Sequence, residues 1–155
     1  MVLCAHSDEG FHNGSKGCSI AGAHILLSEN NAMPRWNGPV LKLAKIIKFV
    51  MSSASEAELG AMCIKAQEMV AMRQTVQEMK WPHLKSPIQT DNSVASGVVN
   101  NTIVPRKLKT MDRRLHWLRC RESQGQFRYY WASGNLNWGD YRTKHHPPVK
   151  FPLAQ

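Results

Sequence analysis

From Ser53 to Met79, apolar positions recur every three or four residues. Leu59, Met62, Cys63, Ala66, Met69, Val70 and Val76 fall on one stripe when wound at helical pitch, which predicts a long amphipathic helix. A second stripe, Leu108, Met111, Leu115 and Leu118, predicts a helix from about Arg106 to Glu122. Elsewhere the period shortens. Residues 1 to 7 and SIAGAHILL at 19 to 27 are apolar runs of strand length, and VLKLAKII at 40 to 47 reads as a third strand, although its spacing also tolerates a helix. Asn37-Gly38 between the second and third runs is a hairpin signal. After Pro82 and Pro87, residues 88 to 91 predict a fourth strand, followed by a short helix to about Asn100. QFRYYWA alternates, with Phe127, Tyr129 and Trp131 on one face, and predicts a fifth strand; a last helical turn is expected around Asp140.

This order, three strands, helix, strand, two helices and strand, predicts a mixed α/β sheet with helices packed on it. Chemistry in such sheets gathers at the carboxyl ends of parallel strands. Asp8 and Asp91 both stand at expected strand ends. If the first and fourth strands are parallel neighbours, the two carboxylates lie side by side and repel unless a cation sits between them. A hard divalent ion suits such oxygen donors. IQTDNS also fits a plainer reading, because Asp-Asn-Ser after a strand is the sequence of a helix N-cap. SSASEAELGAM is equally double-edged: Ser53-x-x-Glu56 and Ser55-x-x-Glu58 both fit a capping box. Glu58 lies about 70° and Glu56 about 90° from the centre of the apolar stripe, so helical geometry does not choose between them. Asp140 taken alone is an ordinary first-turn helix acid.

The chain has 155 residues, a length that suits one domain with its own core. Residues from about 144 to 155 are expected to be an extended tail, in which His145-His146-Pro147-Pro148 is not read as a metal pair. With 43% hydrophobic residues and no apolar run near the ~20 needed to cross a bilayer, no membrane role is expected. MVLCAHSDEGF lacks the features of a secretory signal, and the four cysteines form no CxxC pair, so an intracellular protein, cytoplasmic or nuclear, is expected. The formal net charge of +9 points to polyanions. Seven basic residues, Arg106, Lys107, Lys109, Arg113, Arg114, Arg119 and Arg121, stand between Val104 and Arg121 against the single acid Asp112. They suit phosphate contacts, although a solvated helix face has the same pattern. Trp117 and Trp131 read as core residues or as residues flanking a bound nucleic acid rather than as base-stacking platforms, and His6 and His116 as structural.

Taken in order, MSSASEAELGAM, PIQTDNSVASGVVNNTI, MDRRLHWLR and NWGDYRTKHHPP resemble the ribonuclease H domain at the end of copia-type retrotransposon polyproteins, over nearly the whole chain. The resemblance implies a ribonuclease H-like fold, with helices packed on a five-stranded mixed sheet. It also implies two-metal-ion hydrolysis of the RNA strand of RNA/DNA hybrids, leaving a 3′-hydroxyl. Asp8, Glu58, Asp91 and Asp140 would be the catalytic ligands of two Mg²⁺ or Mn²⁺ ions, with Glu56 left to close the capping box with Ser53. Arg106, Lys107, Lys109, Arg113, Arg114 and Asn92 would contact the hybrid. The same resemblance implies a monomeric domain fused to, or derived from, a reverse transcriptase. This chain departs from the pattern at Glu9, at Asn137-Trp138-Gly139 before Asp140, and at Tyr130, where many cellular ribonucleases H carry a mobile histidine. A scaffold that binds nucleic acid without turnover, or a decayed retroelement fragment, is the competing expectation.

Overall fold

The structure is a computed structural model that describes residues 1–10, 18–35, 37–49, 51–104 and 112–134; of Ser7, Asp8, Gly10 and Asp112 it describes the backbone alone. Five strands, β1 (Val2–Gly10), β2 (Ile20–Ser28), β3 (Pro39–Ile46), β4 (Ser86–Thr90) and β5 (Phe127–Trp131), form one sheet in the order β3-β2-β1-β4-β5. The first three are antiparallel neighbours, whereas β4 runs parallel to both β1 and β5. The helices are α1 (Ala54–Glu78), α2 (Ser93–Val99) and α3 (Asp112–Ser123). The expected mixed sheet is therefore present, and the 40–47 run, whose spacing left strand and helix open, is a strand.

The two faces of the central strands differ: one is apolar, and the other mixes apolar residues with the buried His6, His24 and Gln89. On one face Leu3, Ala5, Ile25, Ile88, Phe127 and Tyr129 of the sheet pack against Leu59, Met62, Cys63, Ala66 and Met69 of α1, with Val98 of α2 and Leu118 of α3 completing the core. Each fully buried side chain of this size contributes about 1.5–3 kcal/mol. On the other face Val2, Cys4 and Leu26 make a smaller cluster. The stripe that predicted α1 is thus the stripe that faces the sheet.

The hairpin between β2 and β3 is held by Asn37, whose Nδ2 donates to the Leu27 carbonyl at 3.2 Å while its Oδ1 accepts the Gly38 N–H at 3.0 Å. Gly60 in α1 permits a close contact: a Cβ there would stand 2.7 Å from the ring of Phe49. That ring in turn lies 3.6 Å below the guanidinium of Arg114, so the β3–α1 connection is clamped between two helices.

Two expectations are corrected in detail. β1 continues past residue 7 to Gly10, because β2 offers partners as far as Gly10↔Ile20; Asp8 therefore sits inside the β1–β2 ladder, opposite Gly22. Trp131 does not share the burial of Phe127 and Tyr129 but is 53% exposed at the last residue of β5. The expected helical turn at Asp140 and the tail lie outside the described residues, as do residues 106–111 of the second predicted helix.

Candidate active site

The parallel register of β1 and β4 matches Ala5 with Ile88 and His6 with Gln89. Continued two residues past His6 and Gln89, the same offset brings Asp8 level with Asp91. This happens at the carboxyl end of β4, where the strand stops and the chain bends into α2. Asp91 is half-buried there.

Glu58 reaches the same place from α1. Its side chain is 1% exposed, and its Oε1 accepts a 2.6 Å hydrogen bond from the Thr90 hydroxyl, the residue before Asp91. Thr90 Oγ1 also accepts the Asn92 N–H at 3.2 Å, so one hydroxyl fixes both the glutamate and the turn carrying Asp91. Glu56 points elsewhere. Its Oε2 accepts from the Ser52 N–H at 2.6 Å and the Ser52 hydroxyl at 2.7 Å, while its own N–H donates to Ser53 Oγ at 3.2 Å. Glu56 thus belongs to the helix cap, but its carboxylate takes the N–H of Ser52 rather than the Ser53 N–H that a capping box specifies. Helical angle could not separate the two glutamates; their partners do.

The cap at IQTDNS is similarly resolved. Asn92 is the N-cap of α2, its Oδ1 accepting the Ala95 N–H at 3.0 Å. The Asp91 carboxylate is therefore not needed to start the helix. Two residues of β5 and its exit close in on it. Trp131 donates its indole N–H to the Asp91 carbonyl at 2.9 Å, and a Cβ on Gly134 would stand 3.2 Å from Asp91 Oδ2. Sequence reading missed the roles of Thr90 and Gly134 and took Trp131 for a core or nucleic-acid-flanking residue. The Ser-Gly pair after the last strand was the available signal for a close approach.

No protein-family model matches the chain. It is 27% identical over 118 residues to a retrovirus-related Pol polyprotein from transposon TNT 1-94 of Nicotiana tabacum, a match covering 76% of this chain and 9% of that polyprotein. Among solved structures, the N-terminal RNase H domain of a Mycobacterium tuberculosis protein superposes with a TM-score of 0.64 at 12% identity, covering 91% of this chain and 89% of that one. The LC11 RNase H1 bound to an RNA/DNA hybrid gives 0.63 at 12% identity over 88% of each chain. RNase H1 of Halobacterium salinarum gives 0.52 at 12% identity over 92% of each. The fold is that of ribonuclease H. The sequence likeness is to a retroelement polyprotein, of whose length this chain spans about 9%.

On this ribonuclease H scaffold the four expected acids differ in how far they can be followed. Glu58 and Asp91 are adjacent through Thr90, Asp8 is brought level by its backbone, and Asp140 lies outside the described residues. Among the described residues no group of three potential metal-ligating side chains gathers. The donor set nevertheless fits a hard divalent cation, since it consists of carboxylates alone, with one oxygen of Glu58 fixed by a hydroxyl.

The expected nucleic-acid contacts are more divided. Arg106, Lys107 and Lys109 lie outside the described residues; Arg113 is exposed on α3. Arg114 is stacked on Phe49, and Asn92 uses its side-chain oxygen on the cap. Arg119 donates through Nε, at 3.2 Å, and Nη2 to the Val98 carbonyl at the end of α2, and Arg121 donates to Gln126. Much of the positive charge on α3 is therefore tied into the fold. Among the described residues no helix is long and apolar enough to cross a membrane.

Proposed function

We propose that this chain is a retroelement ribonuclease H that hydrolyses the RNA strand of RNA/DNA hybrids. The observation that carries the reading is the hydrogen bond from Thr90 to Glu58, which ties an α1 carboxylate to the β4 end where the Asp8 and Asp91 backbones run level. Asp8, Glu58, Asp91 and Asp140 would hold two Mg²⁺ or Mn²⁺ ions. When bound, such ions activate water and stabilise the leaving oxygen of a phosphodiester. Glu58 presents a carboxylate whose direction is fixed by Thr90, and Asp91 stands on a turn that Asn92 holds open. Arg113, with Arg106, Lys107 and Lys109, would set the duplex against these acids through its phosphates. The domain would act as part of, or after separation from, a reverse transcriptase polyprotein, as a monomer and inside the cell.

The test is cleavage of an end-labelled RNA/DNA hybrid with Mg²⁺ and, separately, Mn²⁺, beside single-stranded RNA and an Asp91→Asn variant. The expected outcome is cleavage of the RNA in the hybrid alone, abolished in the variant. Salt-sensitive hybrid binding without cleavage, unchanged by Asp91→Asn, would instead make the chain a binding scaffold.

A further inference from the structure

At the other end of β4 the charge is reversed. A cavity of about 250 Å³ is lined by Val70, Arg73, Gln74, Gln77, Arg121 and Gln126, at the amino ends of β4 and β5. Arg73 is 5% exposed. Its Nη1 donates to the Leu84 carbonyl at 2.8 Å and the Ser86 hydroxyl at 2.7 Å, and its guanidinium carbon stands 5.7 Å from the Phe127 ring centre. These neutral groups engage two of its five N–H donors. Arg121 gives one N–H to Gln126 Oε1 at 3.2 Å and lies 4.9 Å from the ring centre of Trp117.

Among the described residues neither guanidinium has a carboxylate partner. The acids nearest in sequence are otherwise engaged: Glu122 faces Lys85 at 3.7 Å, and Glu78 accepts from Gln74 at 3.3 Å. α1 ends at Glu78, one turn beyond Arg73, and the roughly half charge of its C-terminal dipole does not neutralise two guanidinium ions. Burying a charge with neutral partners only is costly, and a second like charge on the same cavity adds to that cost. Burial already pulls the Arg73 guanidinium below its ordinary value, and the neighbouring His83 is lowered in part by the Arg73 charge.

We infer that this cavity is a binding site for a phosphate-class oxyanion. Two guanidinium forks approaching from different elements, with the Gln77 amide at the exposed rim, offer donors in several directions. That arrangement matches the several acceptor oxygens of a tetrahedral phosphate better than a planar carboxylate. The phosphate could be free or the terminal group of a nucleotide; the chemistry recognised is the same. Ser86 and Thr90 are opposite ends of β4, about 13 Å apart at ~3.3 Å per residue, so this site is separate from the carboxylates and does not rest on the proposed activity.

The experiment titrates the full chain, without divalent metal, with inorganic phosphate, a nucleoside 5′-monophosphate, the corresponding nucleoside, and chloride at matched ionic strength. Thermal midpoint and the phosphorus resonance of the ligand are followed. The expected result is a midpoint raised by about 3–6 °C at roughly tenfold excess over Kd for both phosphates, and no such rise for nucleoside or chloride. Arg121→Gln, at a partly exposed position that leaves the core intact, is expected to weaken binding about tenfold or more, and Arg73→Lys likewise if it folds. Tighter binding of the monophosphate identifies a nucleotide as the source; equal binding identifies free phosphate. A phosphate effect no larger than that of chloride, or one undiminished in Arg121→Gln, overturns the inference.

Discussion

The two ends of β4 are chemical opposites. At the carboxyl end, Thr90 and Asp91 meet Glu58 and the level backbone of Asp8; at the amino end, Ser86 meets the buried Arg73. In both places a hydroxyl on the strand holds a charged group from α1, Thr90 donating to a carboxylate and Ser86 accepting from a guanidinium. The difference lies in what surrounds the held group. Glu58 is held at the strand end that carries Asp91, which suits a cation, whereas Arg73 has further N–H donors on the cavity that Arg121 also lines. One helix thus delivers opposite charges to the two ends of one buried strand, and the hydroxyls fix where each charge points.

The largest effect should come from breaking the acidic end. Glu58→Gln and Asp91→Asn keep shape and remove charge, and each is expected to lower hybrid cleavage at least roughly 10²-fold, with the thermal midpoint of the metal-free protein unchanged or raised. Glu56→Ala is the internal contrast, because its carboxylate serves Ser52. It should cost about 1 kcal/mol of stability and leave the cleavage rate of the folded protein intact. Cleavage lost in Glu56→Ala but kept in Glu58→Gln would reverse the assignment.

The basic end should respond in stability and not in cleavage. Arg73→Met leaves the Leu84 carbonyl and Ser86 hydroxyl without their donor, an expected loss of about 1–3 kcal/mol in denaturant unfolding, with cleavage retained wherever the variant is folded. A smaller change is expected at the start of α2, where Asn92→Ala removes the cap accepted from Ala95 and should cost about 1 kcal/mol. If that substitution also reduced hybrid affinity without changing the melt, Asn92 would be a substrate contact as well.

Much of this contrast could be read before any coordinates. The long stripe of α1 and the approximate places of the strands followed from apolar period and element order, whereas the parallel pairing that sets Asp8 level with Asp91 was a condition that only the β1–β4 register meets. The fate of the two glutamates did not, because Glu56 and Glu58 flank the apolar stripe at similar angular distances, about 90° and about 70° from its centre, and the difference between cap and site is made by Ser52 and Thr90. The basic stretch before α3 and within it was legible as charge but not as partners: Arg114 finds Phe49 and Arg119 finds Val98 only once the helices pack. Arg73 falls on the apolar stripe itself, three residues after Val70 and three before Val76, so its burial was legible, whereas its partners Leu84 and Ser86 were not.

The finest test of the contrast is His83, whose Nε2 lies 3.3 Å from Ser86 Oγ at the basic end. Burial first, and the Arg73 charge second, hold its imidazole below the ordinary value of 6.5. In the unfolded chain the same histidine titrates near 6.5, so as pH falls the unfolded state takes up the proton first. His83 therefore favours the folded state above that pH, and the contribution is lost as pH falls through the lowered folded value. Between about pH 7.5 and about pH 5.5 the wild-type midpoint should drop slightly further than that of His83→Gln, and the gap should shrink in Arg73→Met, where part of the cause is gone. Identical pH slopes in all three proteins would mean that the Arg73 charge is not felt at His83, and the opposition between the two ends of β4 would then rest on the carboxylates alone.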